Sequence, residues 1–341
     1  MTPPDSSTVR HSATAGLAAG VLPDRPTMAN PSAGLVGVVG LGHMGAAFAL
    51  NLVADGRRVL AYDRDPAHVE AVRAAGVEPA CKFADLAACD FVLTALPDDG
   101  ALADVALHSE GLVHVLRPGA VHISMSTVSP GLSRRLTTAH EERSQGYVAA
   151  PVLGNPDLAR ARQLFVLAAG NPAALERARP LLERLGQRLF VVGEDASSAN
   201  LMKLAGNVLT ATTLQSMGEV LALLRKGGID RRVAFDVLTN SLFDSKVHRT
   251  YGGKIVEERY SPAGMAVPLA IKDLRLALAE AEHEAVPMPV ASLVRDRLVA
   301  LVAGGWADLD WSALGGLAAR DAGLGASFDP SRAAAREPRG A

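Results

Sequence analysis

Lys203 and Asn207 are the first pair in this 341-residue chain whose types and spacing could do chemistry. They lie four positions apart in a stretch, 197–225, with no proline and only two glycines, Gly206 and Gly218, so the spacing predicts one long helix. Residues i and i+4 share a helix face. A cation and an amide on one face, close to the start of the helix, would point into a cleft between the domain that ends there and the one that begins. There a lysine can give a proton to a carbonyl oxygen, or take one from a hydroxyl, as a nicotinamide delivers or accepts hydride. As an acid it needs no shift from a free pKa near ~10.4, whereas as a base near neutrality it must be desolvated. The bland alternative is a lysine that snorkels its ammonium out of an otherwise buried helix.

The second candidate is Gly40-Leu41-Gly42-His43-Met44-Gly45, a run that suits phosphate binding. Gly40 allows a tight turn, Gly42 lets backbone amides approach a pyrophosphate, and Gly45 lets a helix sit close on a strand. The context fits. An apolar run, Leu35–Val39, leads into the glycines, a helical pattern (Ala47, Phe48, Leu50, Val53) comes next, and Val59–Tyr62 reads as a second strand. Asp63 ends that strand twenty-three positions after Gly40, near the spacing of a carboxylate that accepts hydrogen bonds from the adenosine ribose. Phosphates would then meet the helix N-terminus, where free N–H groups and the helix dipole favour an anion. The alternative is a set of glycines serving only a strand-to-helix turn.

The elements that must position these groups can be read in outline. Up to about Gly193, strand-like runs (Phe91–Leu96, Val121–Met125, Tyr147–Val152, Leu164–Ala168 and Leu189–Val192 after the first two) alternate with helical patterns, three of which open on proline. Such alternation predicts an α/β fold, a Rossmann-type and mostly parallel sheet with helices on both faces, whose ligands bind beyond the carboxyl ends of the strands. Leu96-Pro97, Ser126-Thr127 and Leu153-Gly154-Asn155 come after strands and become candidates to face a cofactor, or simply turns. After the boundary near Glu194 the texture is all-helical. Ser197-Ser198 suit a helix cap, and helical patterns recur at Asp230–Asn240, Pro268–Glu284 and Pro287–Ala303. The expected organisation is a disordered tail over 1–33, a dinucleotide-binding domain over 34–194, a helical substrate and dimerisation domain over 195–323, and a frayed tail over 324–341.

Bulk composition removes several classes of function. A formal net charge of −2 gives no electrostatic footprint for nucleic acid or an anionic membrane, and aromatic residues are sparse at 4%. No apolar run reaches the ~18–20 residues of a membrane span. The 2 cysteines, Cys81 and Cys89, and the 9 scattered histidines suggest neither disulfides nor a metal site. A cytoplasmic, metal-free protein without nucleic-acid or membrane partners is expected.

Taken in order, the motifs resemble those of the β-hydroxyacid dehydrogenases. Gly40 to Gly45, with Asn51-Leu52 and Gly56 downstream, is similar to the opening signature of that family. Leu96-Pro97 resembles its Leu-Pro at the nicotinamide-side ribose, Ser126-Thr127 its Ser-Thr pair, and Ala150-Pro151-Val152 the start of its substrate loop. Lys203 with Asn207 falls on its catalytic lysine-helix motif, and Lys272-Asp273 on its late Lys-Asp pair, whose lysine reaches the cofactor. The resemblance runs from about residue 35 to 320. It implies hydride transfer between a nicotinamide cofactor and a β-hydroxyacid or its semialdehyde. Lys203 would donate or accept the proton, and Gly40, Leu41, Gly42, His43, Met44, Gly45, Asp63, Arg64, Leu96, Pro97, Ser126, Thr127 and Lys272 would hold the cofactor. Asp273 and Arg275 would also suit a solvated helix face, which leaves a surface role open for Lys272.

Two departures bear on the substrate. The family usually reads Asp-Ala-Pro-Val-Ser-Gly-Gly, and its Ser-Gly-Gly holds the substrate carboxylate. Here the chain reads Ala149-Ala150-Pro151-Val152-Leu153-Gly154-Asn155. Leu153 removes a hydroxyl donor, and Asn155 adds an amide that could help main-chain N–H groups hold a small acid beside Lys203 and Asn207. A bulkier or less acidic substrate also becomes plausible. Ser124 replaces the aspartate that commonly precedes the Ser-Thr pair. Asp63 suits the free 2′-hydroxyl of NAD(H) and repels a 2′-phosphate, whereas Arg64 could pair with one, so NAD(H) is favoured and NADP(H) remains possible. Asn240 and Phe243 could line the substrate pocket. The apolar content of the long helix suggests a homodimer or a larger homo-oligomer. Competing readings are a reductase of imines or other carbonyls, for which Lys203 is the wrong residue type by family habit, and a non-catalytic dinucleotide-binding module.

Overall fold

A computed structural model describes residues 34–325 and 328. The tail expected over 1–33 and most of that over 324–341 lie outside the described residues. Phe328, inside the second, stacks on the Trp306 ring with centroids 4.1 Å apart.

Nine strands form one sheet: β1 (Val36–Val39), β2 (Val59–Tyr62), β3 (Glu78–Pro79), β4 (Phe91–Thr94), β5 (Val121–Ser124), β6 (Gly146–Ala149), β7 (Val152–Leu153), β8 (Leu164–Gly170) and β9 (Gly186–Gly193). Their order is β3-β2-β1-β4-β5-β6-β8-β7, with β9 on β8. Pairing is parallel from β3 to β6, and β8 then runs antiparallel to β6 and β7. The expected run Tyr147–Val152 is two strands, because Pro151 has no N–H to continue the ladder. Side chains alternate across the sheet. Val36 and Val38 enter a core with Phe48, Leu52 and Leu182, while Val39 packs on the other face with Leu86, Val92 and Leu112.

A buried polar chain lies under β5. Gln145 gives its Nε2 hydrogens to the carbonyls of Val113 and Leu116, so its Oε1 accepts from His140 Nδ1 at 2.7 Å. His140 Nε2 must then accept from His122 Nδ1 (2.9 Å), and His122 Nε2 from Thr94 Oγ1 (3.0 Å). These roles hold for neutral imidazoles, the form that burial favours. Burial drives the His140 pKa down to about 4, and burial with His140 as neighbour holds His122 well below its ordinary value.

After β9 the described chain is helical, apart from one isolated bridge between Ala266 and Asp310. The long helix runs Ser197–Lys226, 30 residues. Its start is held by Asp195, whose carboxylate accepts from Ser197 N (2.9 Å) and Ser197 Oγ (2.8 Å), rather than by Ser197 or Ser198 acting as caps. It packs against helices Lys246–Glu257, Val267–His283 and Ala313–Asp321. A Cβ on Gly218 would lie 2.5 Å from Gly315 Cα, so two glycines allow the crossing with Ala313–Asp321. No helix among the described residues is long and apolar enough to cross a membrane.

Candidate active site

A cleft of about 1520 Å³ runs from the glycine turn to the face of the long helix. At one end β1 delivers Gly40 with φ +87°, a left-handed conformation that favours glycine. A Cβ on Gly45 would sit 1.8 Å from the Gly40 carbonyl oxygen, so only glycine lets helix His43–Ala54 start this close to the turn. Gly42 is different. Nothing lies within 4 Å of where its Cβ would be, and no side chain caps the helix it opens. The first amides of that helix therefore face open space in the cleft, the arrangement an anionic phosphate requires.

Asp63, one residue past β2, fastens this end. Its Oδ2 accepts from Leu41 N at 2.6 Å and its Oδ1 from Asp65 N at 2.8 Å, with His68 Nδ1 3.3 Å away. Burial pushes its pKa up, but these hydrogen bonds outweigh burial and hold the carboxyl below its usual value. His43, Met44, Asp63 and Arg64 line the cleft. Leu41 and Gly45 do not. Leu41 is buried and contributes only its backbone N–H to Asp63.

Midway along, Leu96, Pro97, Ser126 and Thr127 lie beyond the carboxyl ends of β4 and β5 and line the cleft. Ser126 Oγ accepts from Leu96 N (2.9 Å) and donates to Thr94 O (3.4 Å), clasping the two strand ends together. Ser124 is fully buried, so an ionised aspartate there would need a buried partner.

At the far end the long helix presents Lys203, which is 8% exposed. Its Nζ donates to Asn207 Oδ1 at 3.1 Å, and Asn207 Nδ2 donates to Asp273 Oδ2. Asp273 is ion-paired with Lys272 (3.0 Å), whose Nζ also donates to the Thr127 carbonyl at 2.6 Å. Burial lowers the Lys203 pKa to about 8; Asp273 opposes that shift and Lys272 adds to it. The ladder joins two helices to the strand end of β5. Lys272 is therefore no surface lysine, and Asp273, which would have suited a solvated face, is buried. Asn200, which the motifs do not single out, supports the site from behind without lining the cleft. It is fully buried one turn before Lys203 and donates from Nδ2 to the Ser126 carbonyl at 3.4 Å. A polar residue three before Lys203 on an apolar helix is the signal that could have found it.

β7 and the turn after it bring Leu153, Gly154 and Asn155 to the same cleft. Leu153 lies over Gly206, where a Cβ would be 3.0 Å from Leu153 Cδ2. The Asn155 side-chain oxygen accepts from Leu158 N at 3.0 Å and caps helix Pro156–Arg160, which leaves its Nδ2 as the side-chain donor for a ligand. Asn240 and Phe243 do not line the cleft. Asn240 is tied to Asp236 and Arg249, and the half-exposed Phe243 lies beside His248. The wall they were expected to form comes instead from helix Lys246–Glu257, which lies in no predicted helix. Away from the cleft, Glu280, His283 and Glu284 bring their ligand atoms within 4.8 Å of one another at a largely exposed site.

Residues 35–193 match the family described as the NAD binding domain of 6-phosphogluconate dehydrogenase. Residues 197–317 match NAD-binding of NADP-dependent 3-hydroxyisobutyrate dehydrogenase. An uncharacterised oxidoreductase of Bacillus subtilis is 36% identical over 281 residues, covering 82% of this chain and 98% of the relative. The chain belongs to the β-hydroxyacid dehydrogenase family. Like other β-hydroxyacid dehydrogenases it is an NAD(P)-dependent oxidoreductase acting on CH–OH groups of small molecules. The 2-(hydroxymethyl)glutarate dehydrogenase of Eubacterium barkeri is 30% identical over 76% of this chain and 86% of that protein. The structure of a Mycobacterium tuberculosis 3-hydroxyisobutyrate dehydrogenase with L-serine superposes with a TM-score of 0.76 at 27% identity, over 83% of this chain and 98% of that one.

Proposed function

We propose that the chain interconverts a β-hydroxyacid and its semialdehyde, with Lys203 carrying the proton and NAD(H) the favoured coenzyme. The observation that carries this reading is a buried lysine with its pKa lowered to about 8, held by Asn207 in the same cleft as the glycine turn.

The residues fit a dinucleotide. The open concavity over Gly42 and the uncapped helix start suit its pyrophosphate, and the ionised Asp63 suits an unsubstituted ribose. His43, Met44, Arg64, Leu96, Pro97, Ser126, Thr127 and Lys272 complete the coenzyme side, while Leu41 and Gly45 act only through the backbone. When bound, the nicotinamide supplies or accepts the hydride. Lys203 Nζ, when protonated, hydrogen-bonds the carbonyl oxygen of the semialdehyde and gives it a proton as the alcohol forms. In the oxidative direction the neutral amine takes that proton from the hydroxyl. Asn207 Oδ1 orients Nζ, and Asp273 fixes the Asn207 amide. The Thr127–Lys272 contact keeps this pair of helices against the strand ends.

The apolar exposed face of the long helix supports a homodimer or larger assembly. Met202, Leu209 and Leu223 are exposed at multiples of seven residues, so they fall on one stripe. Light scattering behind size exclusion should return at least twice the chain mass of 35.4 kDa; a monomer mass would refute the assembly.

Turnover of a panel of β-hydroxyacids, semialdehydes and cyclic imines with NAD(H) and NADP(H) tests the whole reading. Semialdehydes should be reduced, with NADH preferred. Reduction of imines alone, or a large preference for NADPH, would sink the corresponding part.

A further inference from the structure

The substrate end of the cleft is built in a way that selects among acids. Leu153 and Phe165 are a cross-strand pair between β7 and β8, and both line the cleft. Together with Gly206, which Leu153 covers, they make an apolar floor running away from Lys203. At its far edge stands Lys246, with Nζ 5.0 Å from the centre of the Phe165 ring.

The lysines and arginine lining the cleft differ in what neutralises them. Lys203 and Lys272 share Asn207, Asp273 and the Thr127 carbonyl, and Arg64 lies at the nucleotide end beside Asp63. Lys246 is exposed at the rim of the cleft and has no carboxylate within ion-pair distance among the described residues. Neighbouring acids are committed elsewhere, Asp244 to Arg249 and Asp157 to Arg160. Lys246 also opens its helix, at the positive end of the dipole and with no acid in the first turn, so neither offsets its charge. Nearer to Lys203, Leu153 is apolar, and the one side-chain donor the loop offers a carboxylate is the uncharged Nδ2 of Asn155, whose oxygen caps a helix.

We infer that Lys246 is the anchor for a substrate carboxylate lying at the opposite end of the molecule from the reacting carbon, with an apolar spacer resting on Leu153 and Phe165. The substrate class is then an ω-oxo acid, or the matching ω-hydroxy acid, whose carboxylate lies farther from the reacting carbon than in a β-hydroxyacid, so the inference keeps the semialdehyde chemistry of the proposed function and replaces its β-hydroxyacid by a longer one. This inference rests on the proposed role of Lys203 at the reacting carbon.

The test compares succinate, glutarate and adipate semialdehydes with butanal, pentanal and hexanal, using the full chain with NADH. The readout is the ratio of kcat/KM for each acid to that of the alkanal of equal length, in the wild type, Lys246→Met and Lys246→Arg. The expected ratio is about tenfold or more in favour of the acid, the size of one charge-assisted hydrogen bond. It should collapse through KM in Lys246→Met and recover in Lys246→Arg. A ratio unchanged in Lys246→Met overturns the inference and leaves the proposed function standing, because alkanal turnover still depends on Lys203. Should no aldehyde be turned over at all, the proposed function falls. Glutarate titrated into the NADH-loaded enzyme then reads the subsite directly: binding lost in Lys246→Met upholds it, and equal binding overturns it.

Discussion

The two ends of the cleft are made of different material. The nucleotide end is backbone: a glycine in a left-handed turn, a helix start with free amides, and one carboxylate that ties the turn down. The end proposed to react is side chain: Lys203, Asn207, Asp273 and Lys272, drawn from two helices and tied to a strand end of the nucleotide domain. A backbone site depends on the path of the chain and tolerates many side chains. A side-chain ladder depends on each member, and on the helices staying in register with the sheet.

Substitutions can separate the two ends. Lys203→Ala should lower kcat by about 10²–10⁴-fold, the usual worth of a positioned proton donor, while coenzyme affinity from NADH fluorescence titration stays within about twofold. A joint loss of both would mean that the ends are not independent. At the other end, Gly42→Ala and Gly45→Ala should behave differently from one another. The Gly42 methyl enters open space, so Tm should hold while coenzyme Kd weakens by about tenfold. The Gly45 methyl meets the Gly40 carbonyl oxygen, so Tm itself should fall. Equal behaviour of the two alanines would contradict the backbone cradle.

Smaller effects should appear with pH. Because burial lowers the Lys203 pKa to about 8, alcohol oxidation needs the neutral amine, and its kcat/KM should rise about tenfold per pH unit up to about pH 8 and then level off. Carbonyl reduction should show the mirror image, falling above about pH 8. Identical profiles in Lys203→Arg would assign the titration to another group. His122 and His140 should affect stability only. Their folded pKa values are depressed, so the unfolded chain takes up protons first as the pH drops below about 6.5, and stability is lost progressively, down to about pH 4 for the His140 contribution. Urea unfolding at pH 7 and pH 5 should reveal a slope of about 1 kcal/mol per pH unit for each histidine, reduced in His140→Asn, with kcat unaffected at pH 7.

The contrast also explains what can be read from the chain alone. The nucleotide end is legible because its parts are contiguous: glycine spacing, flanking apolar runs and Asp63 all fall within thirty residues. Most strands and the long helix are legible for the same local reason, through apolar periodicity and proline punctuation. At the reacting end, Lys203 with Asn207 is visible as a helical pair, whereas the place of Asp273 is not, because burial of a charged residue depends on a partner sixty-six positions away. Helix Lys246–Glu257 is hidden because Gly252 and Gly253 weaken its pattern, although Gly252 is required by Met217 and Phe235, which crowd its Cβ position. Asn240 and Phe243 fall on the other side of a turn whose direction only the fold determines.

The carboxamide of Asn207 has a consequence for the order of events. It accepts from Lys203 with its oxygen and donates to Asp273 with its nitrogen, and an amide so engaged has no proton to pass on. The ladder therefore aims the ammonium without wiring it to solvent through the protein interior. On the proposed mechanism Lys203 then exchanges its proton with solvent through the mouth of the cleft, so an occupant that fills the mouth also controls when its charge is reset.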